Sequence, residues 1–123
     1  MTVRSLVSVV DDSESVRESL PDLLQQYGFA TQAFASAEAF LASECVGQTQ
    51  CLILDIAMPR MTGPDLQREL ARRRYHIPIV FITAHSDEID RPTLLGAGAV
   101  DCLFKPFSEA ALLDAVHAAL RAG

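Results

Sequence analysis

The stretch from Cys51 to Gly63, CLILDIAMPRMTG, decides the fold. Its first four residues, 51–54, are apolar and stop at a single carboxylate, Asp55; a Met-Pro pair and then a glycine follow. A short continuous apolar run closed by turn residues is the pattern of a strand covered on both faces. Asp55 is then either a solvated loop residue or a reactive group held at the mouth of a core. What the rest of the chain places beside it separates the two.

Similar runs recur along the chain. Residues 6–10, 79–82 after Pro78, and 100–104 read as further buried strands, and the more mixed 29–34, with Thr31 and Gln32, as an edge strand. Helical patterns lie between them. Ser13 can cap the first helix, which runs to about Tyr27 and stops at Gly28, with Pro21 expected to kink it or to end an early segment. Ser36 caps a second, with Ala37, Phe40 and Leu41 on its inner side. The third spans about 63–74, with Leu66 and Leu70 one turn apart. Asp90 can cap a fourth, with Pro92 in its first turn and Gly96 and Gly98 cutting it short. The last starts at Ser108 and buries Leu112, Leu113, Val116 and Leu120. Strict alternation of buried strand and helix predicts a single domain over 1–123: a doubly wound α/β fold whose five-stranded parallel sheet carries helices on both faces.

Composition supports a globular domain and narrows its partners. Half of the 123 residues are hydrophobic and 21% are charged, which is not a disordered composition. A net charge of −6 argues against nucleic-acid binding by this domain. The one basic cluster, Arg72-Arg73-Arg74, falls late in a helical pattern, where cations suit the carbonyl end. Cys45, Cys51 and Cys102 are odd in number and form no C-x-x-C pair, so they read as reduced, packed thiols of a cytoplasmic protein. No apolar run approaches the roughly 18 residues of a membrane span, and no signal peptide is visible, so a soluble protein without a membrane partner is expected.

In sheets of this kind ligands bind beyond the carboxyl ends of the strands. Asp11 and Asp12 follow the first strand, Asp55 ends the third, Thr83 ends the fourth, and Lys105, followed by Pro106, ends the fifth; the second delivers no such group. Three crowded carboxylates raise one another's pKa unless a cation offsets them. Mg²⁺ suits a set of hard oxygen donors, and the lack of a histidine or cysteine among them argues against zinc. A lysine and a hydroxyl able to meet phosphoryl oxygens make the rim fit a phosphoryl group, with one carboxylate as nucleophile. No Gly-rich nucleotide loop is present, and Gly96-Ala97-Gly98 reads as a helix stop.

Taken together, Val10-Asp11-Asp12, Leu54-Asp55 with Met58-Pro59 and Gly63, Ile82-Thr83-Ala84, Gly98-Ala99 and Lys105-Pro106-Phe107 resemble the receiver domain of two-component response regulators. The phrases SAEAFL, DIAMPRMTG and GAVDCLFKPF are similar to receivers of the FixJ/NarL type, which usually precede a helix-turn-helix DNA-binding domain. The resemblance implies a flavodoxin-like (βα)₅ fold with strand order 2-1-3-4-5. It implies that Asp55 accepts a phosphoryl group from a histidine kinase. Asp12 and Asp55, with Asp11 largely through water and the Ala57 backbone carbonyl, would hold Mg²⁺. Lys105 would pair with a phosphoryl oxygen, the Lys105-Pro106 bond would be cis, and Thr83 would report the modification. The added charge, about −1.5 to −2, would be read by the surface of the fourth helix, fifth strand and fifth helix, a face often used for homodimerisation. Such a domain catalyses its own phosphorylation and dephosphorylation and is not a classical enzyme. The output domain is expected to lie outside this chain.

The sequence departs from the family pattern in places. The usual aromatic switch residue three positions before the lysine is replaced by Cys102. Phe104, on the same strand face, either supplies the apolar element of the output surface instead or simply packs against a neighbouring helix. Pro92 argues for a late-starting, short and mobile fourth helix. His85 and Ala57 flank the site; His85 reads as a gate or surface residue rather than a base, and Ala57 is too small to shield an acyl phosphate. His76, His117, Met58 and Met61 read as structural. Two alternatives stand beside the leading one. A stand-alone or degenerate receiver would act by protein–protein contact. An aspartate-nucleophile phosphatase of the haloacid dehalogenase type would need an Asp where Ala57 stands and a cap for which there is no room.

Overall fold

Strand β1, Leu6–Val10, leads into helix α1, Glu14–Gln26; β2, Ala30–Phe34, into α2, Ala37–Leu41; and β3, Cys51–Asp55, into α3, Gly63–Arg72. Strand β4, Ile79–Thr83, precedes α4, Arg91–Gly96, and β5, Asp101–Phe104, precedes α5, Glu109–Ala122. This computed structural model describes residues 4–84 and 91–122. All strand pairs are parallel and the order across the sheet is β2-β1-β3-β4-β5.

The alternation of side chains along each strand divides the apolar residues between two cores. Val10, Leu52, Leu54, Ile79, Phe81 and Cys102 face α2, α3 and α4, where Phe40, Leu66, Leu70 and Leu94 meet them. Val7, Val9, Cys51, Ile53, Val80 and Ile82 face α1 and α5, against Leu24, Leu112 and Val116. Every residue of β3 and β4 is buried, which is why both strands read as unbroken apolar runs. Ser8 is the polar exception in β1, and its hydroxyl pairs with that of Thr49 at 2.7 Å, so nothing polar is left unmet there.

Several local expectations need correction. Pro21 does not end α1, which continues through it to Gln26. Ser13 occupies the cap position, but its hydroxyl meets Ser15 Oγ instead of a helix amide. Helix α3 stops at Arg72 rather than at 74: the Arg74 and Tyr75 amides turn back to the Ala71 and Leu70 carbonyls, with Arg74 in the left-handed region at φ 64°. That is a Schellman closure without its usual glycine. Arg72 and Arg73 pair with Glu69. Ser36 does cap α2, and Ser108 accepts the Ala111 amide at the start of α5. Leu113 and Leu120 are only partly buried. The sheet has two edges, and β5 forms the second. Asp90 and the residues before Arg91 that bear on where the fourth helix starts lie outside the described residues, as does His85.

Candidate functional site

Parallel strands bring their carboxyl ends to one rim, so the residues that end β1, β3, β4 and β5 meet by topology. One carboxylate oxygen each from Asp11, Asp12 and Asp55 lies within 4.8 Å of the others. Asp11 is fully buried and held on every side. Its amide donates to the Phe34 carbonyl at 3.1 Å, which docks β1 against the end of β2. Its Oδ1 accepts the Ser13 amide at 2.8 Å, and its Oδ2 accepts Lys105 Nζ at 3.1 Å. Its carbonyl accepts Arg17 Nη1 at 3.0 Å. Asp12, by contrast, is exposed.

Asp55 is 6% exposed at the floor of the cluster. Burial pushes its carboxyl up to about 6, and the Asp11 charge adds to the rise; Lys105 and the Ala57 amide draw it back down, and a contact with the Asp12 carboxyl raises it again. The Ala57 amide reaches Asp55 Oδ1 at 3.4 Å. A crowded trio of oxygen donors, one of which resists ionisation, fits a hard divalent cation that would relieve the repulsion.

The loop after Asp55 is closed by the backbone. The Gly63 amide donates to the Ile56 carbonyl at 3.0 Å. A Cβ at Gly63 would stand 2.5 Å from the Asp55 carbonyl oxygen and 3.0 Å from Ile56 Cα, so only glycine lets α3 dock directly on the strand end. Thr62 and Asp65 form a reciprocal capping box that starts the helix at this point. Met58 is buried and Met61 partly so, which anchors the loop in the core. Between them Arg60 takes a left-handed conformation, φ 66°.

Thr83 ends β4, fully buried, one residue past the Asp55–Ile82 register pair, and its carbonyl accepts the Lys105 amide at 2.7 Å. The Lys105–Pro106 peptide is cis. Phe104 is 39% exposed rather than packed under a helix, while Cys102 on the same strand is 3% exposed. Ala57, two residues past Asp55, is exposed. Burial pushes the Cys51 thiol up to about 12, as befits an unreactive packed cysteine. Among the described residues no helix is long and apolar enough to cross a membrane.

The structure therefore brings Asp11, Asp12, Asp55, Thr83 and Lys105 to one rim. Sequence reasoning missed Arg17. Its contact is made by a long side chain folding back over the start of its own helix, and no periodicity marks such a contact.

Comparison with known proteins agrees with the fold. The chain belongs to the response regulator receiver domain family, whose model matches residues 7–117. Nodulation protein W of Bradyrhizobium diazoefficiens is 45% identical over 118 residues, which cover 96% of this chain and 52% of that protein. The transcriptional regulatory protein FixJ of Rhizobium meliloti is 40% identical over 113 residues, 92% of this chain and 55% of FixJ. The crystal structure of FixJ-N superposes with a TM-score of 0.86 at 37% identity, covering 98% of this chain and 96% of that one. The chain thus spans about half the length of the curated relatives it matches. Receivers of this family take phosphate from histidine kinases, generally serve in signalling rather than as classical enzymes, and generally bind Mg²⁺ through acidic residues.

Proposed function

We propose that Asp55 is the phosphoacceptor of this receiver. A carboxylate oxygen of Asp55 attacks the phosphorus of a phosphohistidine on a partner kinase; the P–O bond forms, the P–N bond breaks, and the imidazole nitrogen leaves. The observation that carries this reading is the convergence of Asp11, Asp12 and Asp55 within 4.8 Å, with Lys105 at 3.1 Å from Asp11. Asp12 and Asp55, Asp11 largely through water, and the Ala57 carbonyl are the residues that would hold Mg²⁺. When bound, the ion supplies charge neutralisation for the phosphoryl oxygens. Lys105 would exchange its bond to Asp11 for one to a phosphoryl oxygen, and the Thr83 hydroxyl would follow the new charge. Pro106 fixes the chain direction after Lys105.

The charge change would be read on the face of α4, β5 and α5, where Phe104 offers an exposed ring at a sheet edge. Cys102 has no ring to move, so Phe104 is the apolar element left for contact, and homodimerisation through this face on phosphorylation is the expected output. The relatives' names and roughly doubled length support a transcription-regulating output module working with this domain in the cytoplasm, in which case 1–123 is the receiver part alone. The domain itself would bind neither nucleic acid nor membrane. It would turn over only its own phosphoryl group, and Ala57 would flank the path by which water removes it.

Incubation with acetyl phosphate and MgCl₂, followed by intact-mass measurement, tests the proposal. An adduct of one phosphoryl group that needs Mg²⁺ and vanishes in Asp55→Asn is expected. No adduct with any donor would point to a degenerate receiver, and steady hydrolysis of phosphate esters to a phosphatase.

A further inference from the structure

Arg17 stands beside an acidic cluster, yet among the described residues its guanidinium meets no carboxylate at ion-pair distance. Its donor goes to the carbonyl of Asp11, at 3.0 Å. Asp11 is fully buried, and its carbonyl belongs to the peptide that leads into Asp12. Lys105 secures the Asp11 side chain and Ser13 its other oxygen, so Asp11 does not depend on Arg17 for its direction. The Asp12 carboxyl meets the Asp55 carboxyl, and among the described residues no lysine or backbone amide is seen to hold it as Lys105 and Ser13 hold Asp11. Asp12 is exposed, and the peptide that leads into it is the one whose carbonyl Arg17 holds. Arg17 reaches that carbonyl from α1, outside the sheet. Its own amide bonds the Ser13 carbonyl at 3.1 Å, so the anchor is itself set in the first turn of α1.

We propose that Arg17 is a positioning residue of the site: by holding the Asp11–Asp12 peptide it aims the Asp12 carboxylate at Asp55 and so sets the affinity for a divalent cation. The proposal rests on the reading of the acidic cluster as a Mg²⁺ site. Groups that orient metal ligands from behind matter in this way because a ligand that must be re-aimed costs affinity; their loss weakens binding roughly 10–100-fold.

The sign of the effect separates positioning from charge. A cation near a dication site repels the ion, so deleting the Arg17 charge alone would tighten Mg²⁺ binding. Loss of positioning weakens it. Titration of MgCl₂ into the whole chain by calorimetry reads the difference directly. Arg17→Met keeps the apolar stem and removes the donors, and we expect Mg²⁺ binding about tenfold weaker than wild type. Arg68→Met, an exposed arginine paired with Asp65 on α3, removes the same charge away from the rim and leaves affinity unweakened. Should Arg17→Met fail to fold by circular dichroism, Arg17→Gln, neutral and too short to hold the same carbonyl, carries the same expectation. Binding as tight as wild type or tighter in a folded Arg17 variant overturns the inference while leaving the Mg²⁺ site standing. A wild-type chain that binds no Mg²⁺ overturns both.

Discussion

The two ends of the same sheet differ in what the strands deliver. At the carboxyl end, Asp11, Asp12, Asp55, Thr83 and Lys105 crowd one rim and the loops are closed by backbone bonds of fixed length. At the amino end, Gln67, Tyr75, His76, Ile77 and Gly98 surround an open cavity of about 310 Å³ that no carboxylate lines among the described residues. The same strands, buried along their whole length in β3 and β4, feed both ends. The contrast teaches that burial builds the frame, while the chemistry is set by where each apolar run stops.

The sharpest way to break the contrast is to disturb the packing under the charged rim. Gly63→Ala forces a methyl group against the Asp55 carbonyl. A loss of roughly 3 kcal/mol in urea unfolding is expected, together with slower phosphorylation of Asp55. A loss below about 0.5 kcal/mol would mean that α3 is free to retreat.

The next effect has the opposite sign. Asp55 is held near a pKa of about 6, above its usual 3.8, mainly by burial. A raised carboxyl takes up protons more readily when folded, so its contribution to stability is present below pH 4 and is lost as pH rises from about 4 through about 6. Asp55→Asn removes that loss. In EDTA at pH 7.5 the variant should be about 2 kcal/mol more stable than wild type. The two should converge by pH 4, and a gain independent of pH would deny the electrostatic cause.

At the amino end the expected changes are smaller. Arg74→Gly relieves the left-handed residue that closes α3 and should stabilise by about 1 kcal/mol, with no change in phosphorylation. His76→Ala, at the exposed lip of the cavity, should shift stability by less than about 0.5 kcal/mol and leave the phosphoryl adduct on Asp55 as in wild type. A strong effect of His76→Ala on phosphorylation would erase the distinction between the two ends.

Much of this was legible in the sequence because strands buried on both faces write themselves as continuous apolar runs. Asp55 could be read as a rim residue once Asp11, Asp12, Thr83 and Lys105 fell at other run ends. Other features were hidden for identifiable reasons. Arg74 closes α3 in a conformation that glycine would have advertised. Ser13 looked like a cap, but the Asp11 carboxylate takes its amide and its hydroxyl turns to Ser15. The apolar run at 100–104 reads as a buried strand, and only the strand order implied by the family resemblance marks β5 as an edge. Arg17 acts through a carbonyl, and a backbone partner leaves no complementary residue in the sequence to pair with it.

The contact between Gly63 and the Asp55 peptide also makes the domain stiff at one joint. Most helices rest on a sheet through side chains, which bend and re-seat like padding when a strand shifts. Here the first residue of α3 lies directly on the strand's own backbone, at the Asp55 carbonyl and Ile56 Cα, with the Phe81 ring beside it. A displacement of the Asp55 carbonyl by a few tenths of an ångström passes to the first turn of α3 undamped, like a push on a rod.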